Sequence, residues 1–416
     1  MTGSELPKDT LTRCLRPEQQ AQESLLIRRL MSSAGVAYDP IPHDPSQNGS
    51  GAEIAQLDSL LNSQSVLPDE YDIVTVGDAG YVVNFMEPEV RPDSAWLLTD
   101  YDDLLIATTE AKARHSEAYA EYIKGIGVAM DATTQERLVR AANQFARWNE
   151  NGQEIYHIDA NIVALGWATK MLCKLGRSNP LGMVKICEAR LADIATGLTE
   201  DRAPRSTDPF HFSRGQLVVK NHNVVSDRFI EVFKPLVRPD VFPDSFEAVR
   251  QASAAVDGYG EQSPNLAVFT YGKPDWQLMK LILTMKEQAS ISEPLPLSQL
   301  WLTRVYKGKF VEQLASLAVQ PSPNSVMATE VIQSPGLVLT DDDPNHLNSF
   351  MSASVPTVLG AVRSARQGTK TAGKPWIGQP RELTTSFDPS AAIGPLNDFE
   401  AQLRLMLQTV AAESRS

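Results

Sequence analysis

Long hydrophobic runs are missing from this sequence: nowhere in its 416 residues do about 18 apolar residues follow one another, so no segment is expected to span a bilayer. Cysteine is scarce as well. Cys14, Cys173 and Cys187 are odd in number, widely spaced and without a CxxC pair, which excludes a disulfide framework or a cysteine-based zinc site and fits free thiols in a reducing compartment. The opening MTGSELPKDT lacks the basic and apolar blocks of a signal peptide, so the cytoplasm is the expected location. GxSxG, HExxH and GxxxxGK[ST] do not occur, and Gly125-Ile126-Gly127 lacks the third glycine of a dinucleotide fingerprint. The six histidines are scattered, so the sequence assigns neither a metal nor a cofactor.

What is present is ordinary for a globular chain: 42% hydrophobic and 21% charged residues. The length predicts two lobes, because single cores stop growing near roughly 250–300 residues. The net charge of −13 is unevenly spread. Residues 1–110 carry 19 Asp and Glu against 6 Lys and Arg, whereas residues 111–416 carry 32 of each. The acidic quarter reads either as a solvated surface or as a dock for a basic protein partner, and the neutral remainder leaves room for locally grouped cations.

Periodicity and capping predict a mainly α fold, with two helical lobes, a small β-hairpin near the N-terminus and extended terminal arms. The boundaries fall at 1–51 (N-terminal arm and linker), 52–200 (hairpin plus helical bundle), 201–367 (C-terminal helical lobe) and 368–416 (C-terminal arm with a terminal amphipathic helix). The hairpin is read from Ile73–Val76 and Tyr81–Phe85, β-branched runs around a Gly-bounded turn. Thr99 or Asp100 is expected to cap a helix running to Met130, Asp131 or Thr133 the next, and further helices are expected near 159–175, 178–197, 226–234, 243–256, 275–289, 297–306, 308–319 and 346–366. Leu217–Val219 reads as a possible strand.

Candidate binding residues come from gaps in the acidic pattern. Lys170, Lys174 and Arg177 follow i, i+4, i+7 spacing beside Trp167, and Lys185 lies in the same gap. Arg363, Arg366 and Lys370 share a second face, and Arg304, Lys307 and Lys309 interleave with Trp301, Tyr306 and Phe310. Cations with aromatic neighbours suit a polynucleotide backbone with stacked bases; solvated helix faces look the same in sequence. Two tethered apolar helices, through Leu26, Ile27 and Leu30 and through Phe399, Leu403, Met406 and Leu407, must either fold back or dock on a neighbouring copy. For chemistry, Asp100-Tyr101-Asp102-Asp103 after an apolar stretch could hold a divalent cation as in a glycosyl or nucleotidyl transferase, but capping and dipole chemistry at a helix start is the preferred reading, and Asp341-Asp342-Asp343 reads the same way.

In layout, with an N-terminal arm at 1–35, an early hairpin at Ile73–Phe85, helical lobes at 100–198 and 226–366 and a tethered end helix, the chain resembles the nucleoproteins of negative-strand RNA viruses of the mononegavirus type. That resemblance implies a non-enzymatic coat protein that binds single-stranded RNA through its phosphates, self-assembles into an array, and resides in the virion and host cytoplasm. A helical protein–protein scaffold and the metal-dependent transferase are the alternatives.

Overall fold

The computed structural model describes residues 28–32, 36, 50–87, 94–150, 153–199, 210–213, 216–219, 226–255, 265–289, 293–319, 331–364, 366, 369, 384–387 and 397–413. Its centre is an eight-stranded sheet, not a helical bundle. The strands are β1 (Tyr71–Val76), β2 (Gly80–Phe85), β3 (Trp96–Thr99), β8 (Leu266–Tyr271), β9 (Gln299–Thr303), β10 (Gly336–Asp341), β11 (Val358–Ser364) and β12 (Thr384–Phe387), in the order β1-β2-β9-β8-β3-β10-β11-β12. Two separate hairpins supply β4 (Arg147–Glu150) with β5 (Gln153–Tyr156), and β6 (Phe210–Ser213) with β7 (Gln216–Val219). From β9 to β12 every neighbouring pair is parallel; β1 and β2 add an antiparallel edge.

The mainly helical expectation is therefore corrected, and the reason is visible in the strands themselves. WLLT, LAVFTY, QLWLT and GLVLTD are buried along their whole length, apart from half-buried Tyr271. Strands covered on both faces show no polar alternation, so their short apolar runs mimic pieces of buried helix. The helix expected at 297–306 is β9, the one expected at 346–366 is a short helix followed by β11, and β3 occupies the residues before Asp100. The hairpin stands where expected but serves as the edge of the large sheet.

Helices cover both faces. On one side Leu97, Val338, Leu266, Val268, Leu300 and Val362 pack with α8 (Pro274–Gln288), α7 (Pro243–Ala255) and α11 (Asn397–Glu413). On the other, Trp96, Leu98, Phe269, Trp301, Leu337 and Leu339 pack with α9 (Lys307–Val319) and α10 (Pro344–Met351). Alternate residues of one strand thus feed two cores, each fully buried Leu or Phe contributing roughly 1.5–3 kcal/mol. Helix α1 (Ser50–Asn62) lies against α8. Between β3 and β8 the chain inserts a helical layer: α2 (Thr108–Gly125), α3 (Ala132–Phe145), α4 (Ile158–Met171) with a π-turn at Leu172–Gly176, α5 (Pro180–Thr199), and the short turns Asp227–Ile230, Glu231–Phe233 and Lys234–Val237, called α6 together. Asp131 caps α3 by accepting from the Thr134 backbone N–H, as the sequence predicts.

The terminal helix folds back on its own sheet. Leu403, Met406, Leu407 and Val410 are buried, and a Cβ added to Gly336 of β10 would lie 1.8 Å from Val410 Cγ1, so that strand must be glycine where α11 crosses it. Leu30 is likewise buried in the core of this chain. Leu26, Ile27 and the side chain of Phe399 lie outside the described residues.

Candidate active site

Parallel sheets place ligands beyond the carboxyl ends of their strands, at the point where the chain reverses its direction of travel across the sheet. Here that point adjoins β3. From β3 the chain moves to β8 and then β9 on one side, and returns to β10 on the other. Asp100 follows β3 directly, and Asp341 ends β10. The parallel register pairs Thr99 with Thr340, and the Asp100 backbone N–H donates to the Thr340 carbonyl at 2.8 Å, which brings the two aspartates to the same edge.

Between them stands Lys307, the first residue of α9 and fully buried. Its Nζ donates to Asp100 Oδ1 and to Asp341 Oδ2, each at 2.6 Å. The remaining Asp341 oxygen accepts from the Asp343 backbone N–H at 2.8 Å. Asp342 completes the group: carboxylate oxygens of Asp100, Asp341 and Asp342 lie within 4.8 Å of one another, all buried. Burial, then the neighbouring Asp341 charge, pushes the Asp100 carboxyl up to about 7 despite the opposing pull of Lys307. Asp341 is raised as well, chiefly by burial. Lys307 is raised too: burial opposes its charge, but the attraction of Asp100 and Asp341 outweighs that.

The turn after β3 presents a further carboxylate. Asp103 adopts φ +57, a left-handed conformation tolerated by aspartate, and its carboxylate accepts from the Thr109 backbone N–H and Oγ1, each at 2.7 Å. This seats Asp102, whose Oδ1 accepts from Lys280 Nζ of α8 at 2.6 Å and from Thr108 Oγ1 at 2.7 Å. Burial alone would raise Asp102, but the Lys280 ammonium and these hydrogen bonds hold it below the usual carboxylate range. At the end of β8, the buried Thr270 hydroxyl has no hydrogen-bond partner among the described residues, leaving a spare donor on the same sheet edge.

Two buried carboxylates thus share one ammonium, with the buried Asp342 carboxylate beside them. An oxygen-only donor set with surplus negative charge fits a hard divalent cation such as Mg²⁺, held by Asp100, Asp341 and Asp342. The sequence singled out both acidic runs but read them as helix caps. Asp343 does cap a helix, accepting from the Asn345 backbone N–H at the start of α10, and Asp103 accepts from the Thr109 backbone N–H in the first turn of α2; Asp100 does not, since α2 begins at Thr108.

The predicted RNA-contacting cations occupy different places. Lys307 belongs to the carboxylate centre. Arg304 pairs with Glu53, and Arg366 pairs with Asp244 at 2.8 Å while lying over the Phe242 ring. Arg363 is buried in β11. Lys174, Arg177, Lys185 and Lys309 are exposed and Lys170 is half-buried; the π-turn at Leu172–Gly176 interrupts the helix on which the first stripe was drawn. Lys370 lies outside the described residues.

No protein-family model and no curated protein matches the chain. Among solved structures it is similar to a haloacid dehalogenase-like hydrolase from Xanthomonas campestris (14% identity, 77% of this chain and 99% of that one, TM-score 0.34). A haloacid dehalogenase-like hydrolase from Burkholderia xenovorans (13%, 74% and 98%, TM-score 0.33) and the L-2-haloacid dehalogenase from Xanthobacter autotrophicus (13%, 74% and 87%, TM-score 0.27) are also similar. With TM-scores below 0.5 these likenesses carry no argument about activity, which rests on the residues above. They are hydrolases and dehalogenases, not nucleoproteins. The parallel sheet and the burial of Lys307, Arg363 and Arg366 overturn the helical layout and the cation stripes on which the nucleocapsid, virion and non-enzymatic readings rested. The helical scaffold falls with the helical fold, and the glycosyl or nucleotidyl transferase finds no support. Among the described residues no helix is long and apolar enough to cross a membrane.

Proposed function

We propose that this chain is a divalent-metal-dependent hydrolase of phosphate esters, with Asp100 as its nucleophile. The observation that carries the reading is Lys307 held between Asp100 and Asp341, with Asp342 beside them, at the switch point of a parallel sheet. Aspartate carboxylates form covalent phosphoryl intermediates, and phosphoryl transfer depends on positioning and charge neutralisation more than on covalent help from the protein.

When bound, the metal would neutralise charge on the phosphoryl oxygens. The chain's own residues do the rest. Asp100 attacks phosphorus, forming an O–P bond as the bond to the leaving oxygen breaks and solvent protonates that oxygen; water then attacks phosphorus, breaking the bond to Asp100, releasing inorganic phosphate and restoring the carboxylate. Lys307 fixes the Asp100 rotamer and offers positive charge to the entering phosphoryl group. Thr270 supplies a hydroxyl donor at the same edge. Asp102, seated by Lys280 and Thr108, is the carboxylate placed to accept the proton of the attacking water. A cytoplasmic place of action fits Cys173 and Cys187, which are free thiols.

The test is phosphate release from a panel of monoesters with the full chain. Release should require Mg²⁺, stop on chelation, and fall at least about 1,000-fold in Asp100→Asn with its circular-dichroism spectrum unchanged. Release that survives the Asp100→Asn change would remove the nucleophile assignment. A panel with no turnover would remove the phosphoesterase reading.

A further inference from the structure

Beside the carboxylate centre lies a group of aromatic rings that the hydrolytic step does not use. Tyr271 follows Thr270 at the end of β8, Tyr306 immediately precedes Lys307, and His346 lies on the first turn of α10, three residues after Asp343. Their rings meet one another although the three residues come from three different elements. The Tyr271 and Tyr306 rings are nearly parallel, 13° apart in plane with centroids 6.5 Å apart. His346 rests against both, at 4.9 Å from Tyr271 and 5.4 Å from Tyr306. The Tyr271 hydroxyl donates to the Glu154 carbonyl of β5 at 2.8 Å, fixing the cluster where the inserted layer meets the sheet.

Tyr306 is 41% exposed. Among the described residues the other exposed large apolar side chains are Met86, Leu175, Leu181, Ile186 and Leu405, and none of these neighbours a residue of the centre in the chain. A ring left open to water beside a phosphoryl site has a use that a core aromatic lacks: its face can stack on a planar group of the ligand. The direction is also set. In an in-line displacement the leaving oxygen departs opposite the attacking carboxylate. Asp100 is buried while Tyr306, the neighbour of Lys307 in the chain, is open to water, so the outward path of the leaving group is assigned to the side that carries Tyr306.

Resting on the hydrolase reading above, we propose that Tyr271, Tyr306 and His346 form a stacking platform for a planar aromatic ring on the leaving group. The substrate is then an aromatic phosphate monoester, its ring being either a simple aryl group or a nucleoside base. Tyr306 is the specificity-determining residue, and Tyr271 and His346 hold its ring in place.

The experiment measures dissociation constants by calorimetry with the full chain in Mg²⁺. The probes are methylphosphonate, phenylphosphonate and a nucleoside phosphonate, none of which can be hydrolysed. At least one aromatic probe should bind about 10-fold more tightly than methylphosphonate, and whichever aromatic probe binds better names the ring. Tyr306→Ala should abolish that preference without weakening methylphosphonate, and Tyr306→Phe, which keeps the ring, should retain it. Equal binding of aromatic and methyl probes, or a preference that survives Tyr306→Ala, overturns the platform and leaves the hydrolase reading standing. If no phosphonate binds, both fall together.

Discussion

Lys307 Nζ lies 2.6 Å from Asp100 Oδ1 with no solvent exposure, and the same ammonium makes an equal contact with Asp341. One positive charge therefore separates two carboxylates that burial and mutual repulsion would otherwise drive toward protonation. Replacing the lysine by an isosteric apolar chain removes the separator and leaves both acids. In Lys307→Met, activity should fall at least about 100-fold and the metal-free protein should lose about 3–5 kcal/mol at pH 8, measured by urea unfolding in a chelator. The loss should shrink at pH 5, where the carboxylates take up protons. Equal stability of variant and parent at pH 8 would count against the ion pair as described.

Binding of Mg²⁺ to the three carboxylates should stabilise the native state. At a hundred times its dissociation constant a ligand adds about 2.7 kcal/mol, which is visible as a rise in melting temperature. Asp342→Asn removes one ligand charge without touching Lys307, and should weaken that rise by at least about 10-fold in metal concentration. An unaltered titration would place the metal elsewhere.

The position of Lys307 depends on the next residue. A Cβ at Gly308 would lie 1.9 Å from the Ser349 carbonyl oxygen, so α9 and α10 meet there backbone to backbone. Gly308→Ala must push the helices apart and move the lysine with them. A loss of about 1–3 kcal/mol is expected, together with a drop in kcat. A fully stable and fully active variant would mean that the contact is looser than the structure has it.

His115 of α2 sets an acid limit remote from the centre. It is buried against Phe233 with ring centroids 4.7 Å apart, and burial pushes its imidazole down to about 4 from the ordinary 6.5. The folded state therefore binds its proton later than the unfolded state does. The contribution is complete above pH 6.5 and is lost as pH falls toward 4, reaching about 3 kcal/mol. His115→Phe should flatten the stability curve between pH 6.5 and 4, measured by urea unfolding at each pH. A slope unchanged by the substitution would assign the acid sensitivity to other groups.

Much of the local structure was legible in the sequence, while the architecture was not. The Asp131 cap, the hairpin around Gly77–Gly80 and the start of α5 near Pro180 are encoded within a few residues of chain, and local rules find them. The central strands depend on partners distant in sequence: β3 pairs with β8 and β10, some 170 and 240 residues further along the chain. No local alternation marks them, because both of their faces are covered. The site was half visible for the same reason. Asp100-Tyr101-Asp102 and Asp341-Asp342 each follow an apolar run that ends in threonine, Trp96-Leu97-Leu98-Thr99 and Leu337-Val338-Leu339-Thr340. Read as two parallel strands ending in acids, those twin segments would have announced the centre. Read as helix starts, they became caps. Nothing local distinguishes Lys307 from a surface lysine; it becomes part of the site only when α9 seats it between strands.

The most direct test of the account is whether phosphorus becomes bonded to Asp100 during turnover. The full chain is mixed with Mg²⁺ and a ³²P-labelled aromatic monoester, quenched in acid within the first turnover, and its peptides are mapped. The account predicts label on the peptide containing Asp100 in the parent protein and none there in Asp100→Asn. Ester hydrolysis that proceeds with that peptide unlabelled would contradict it.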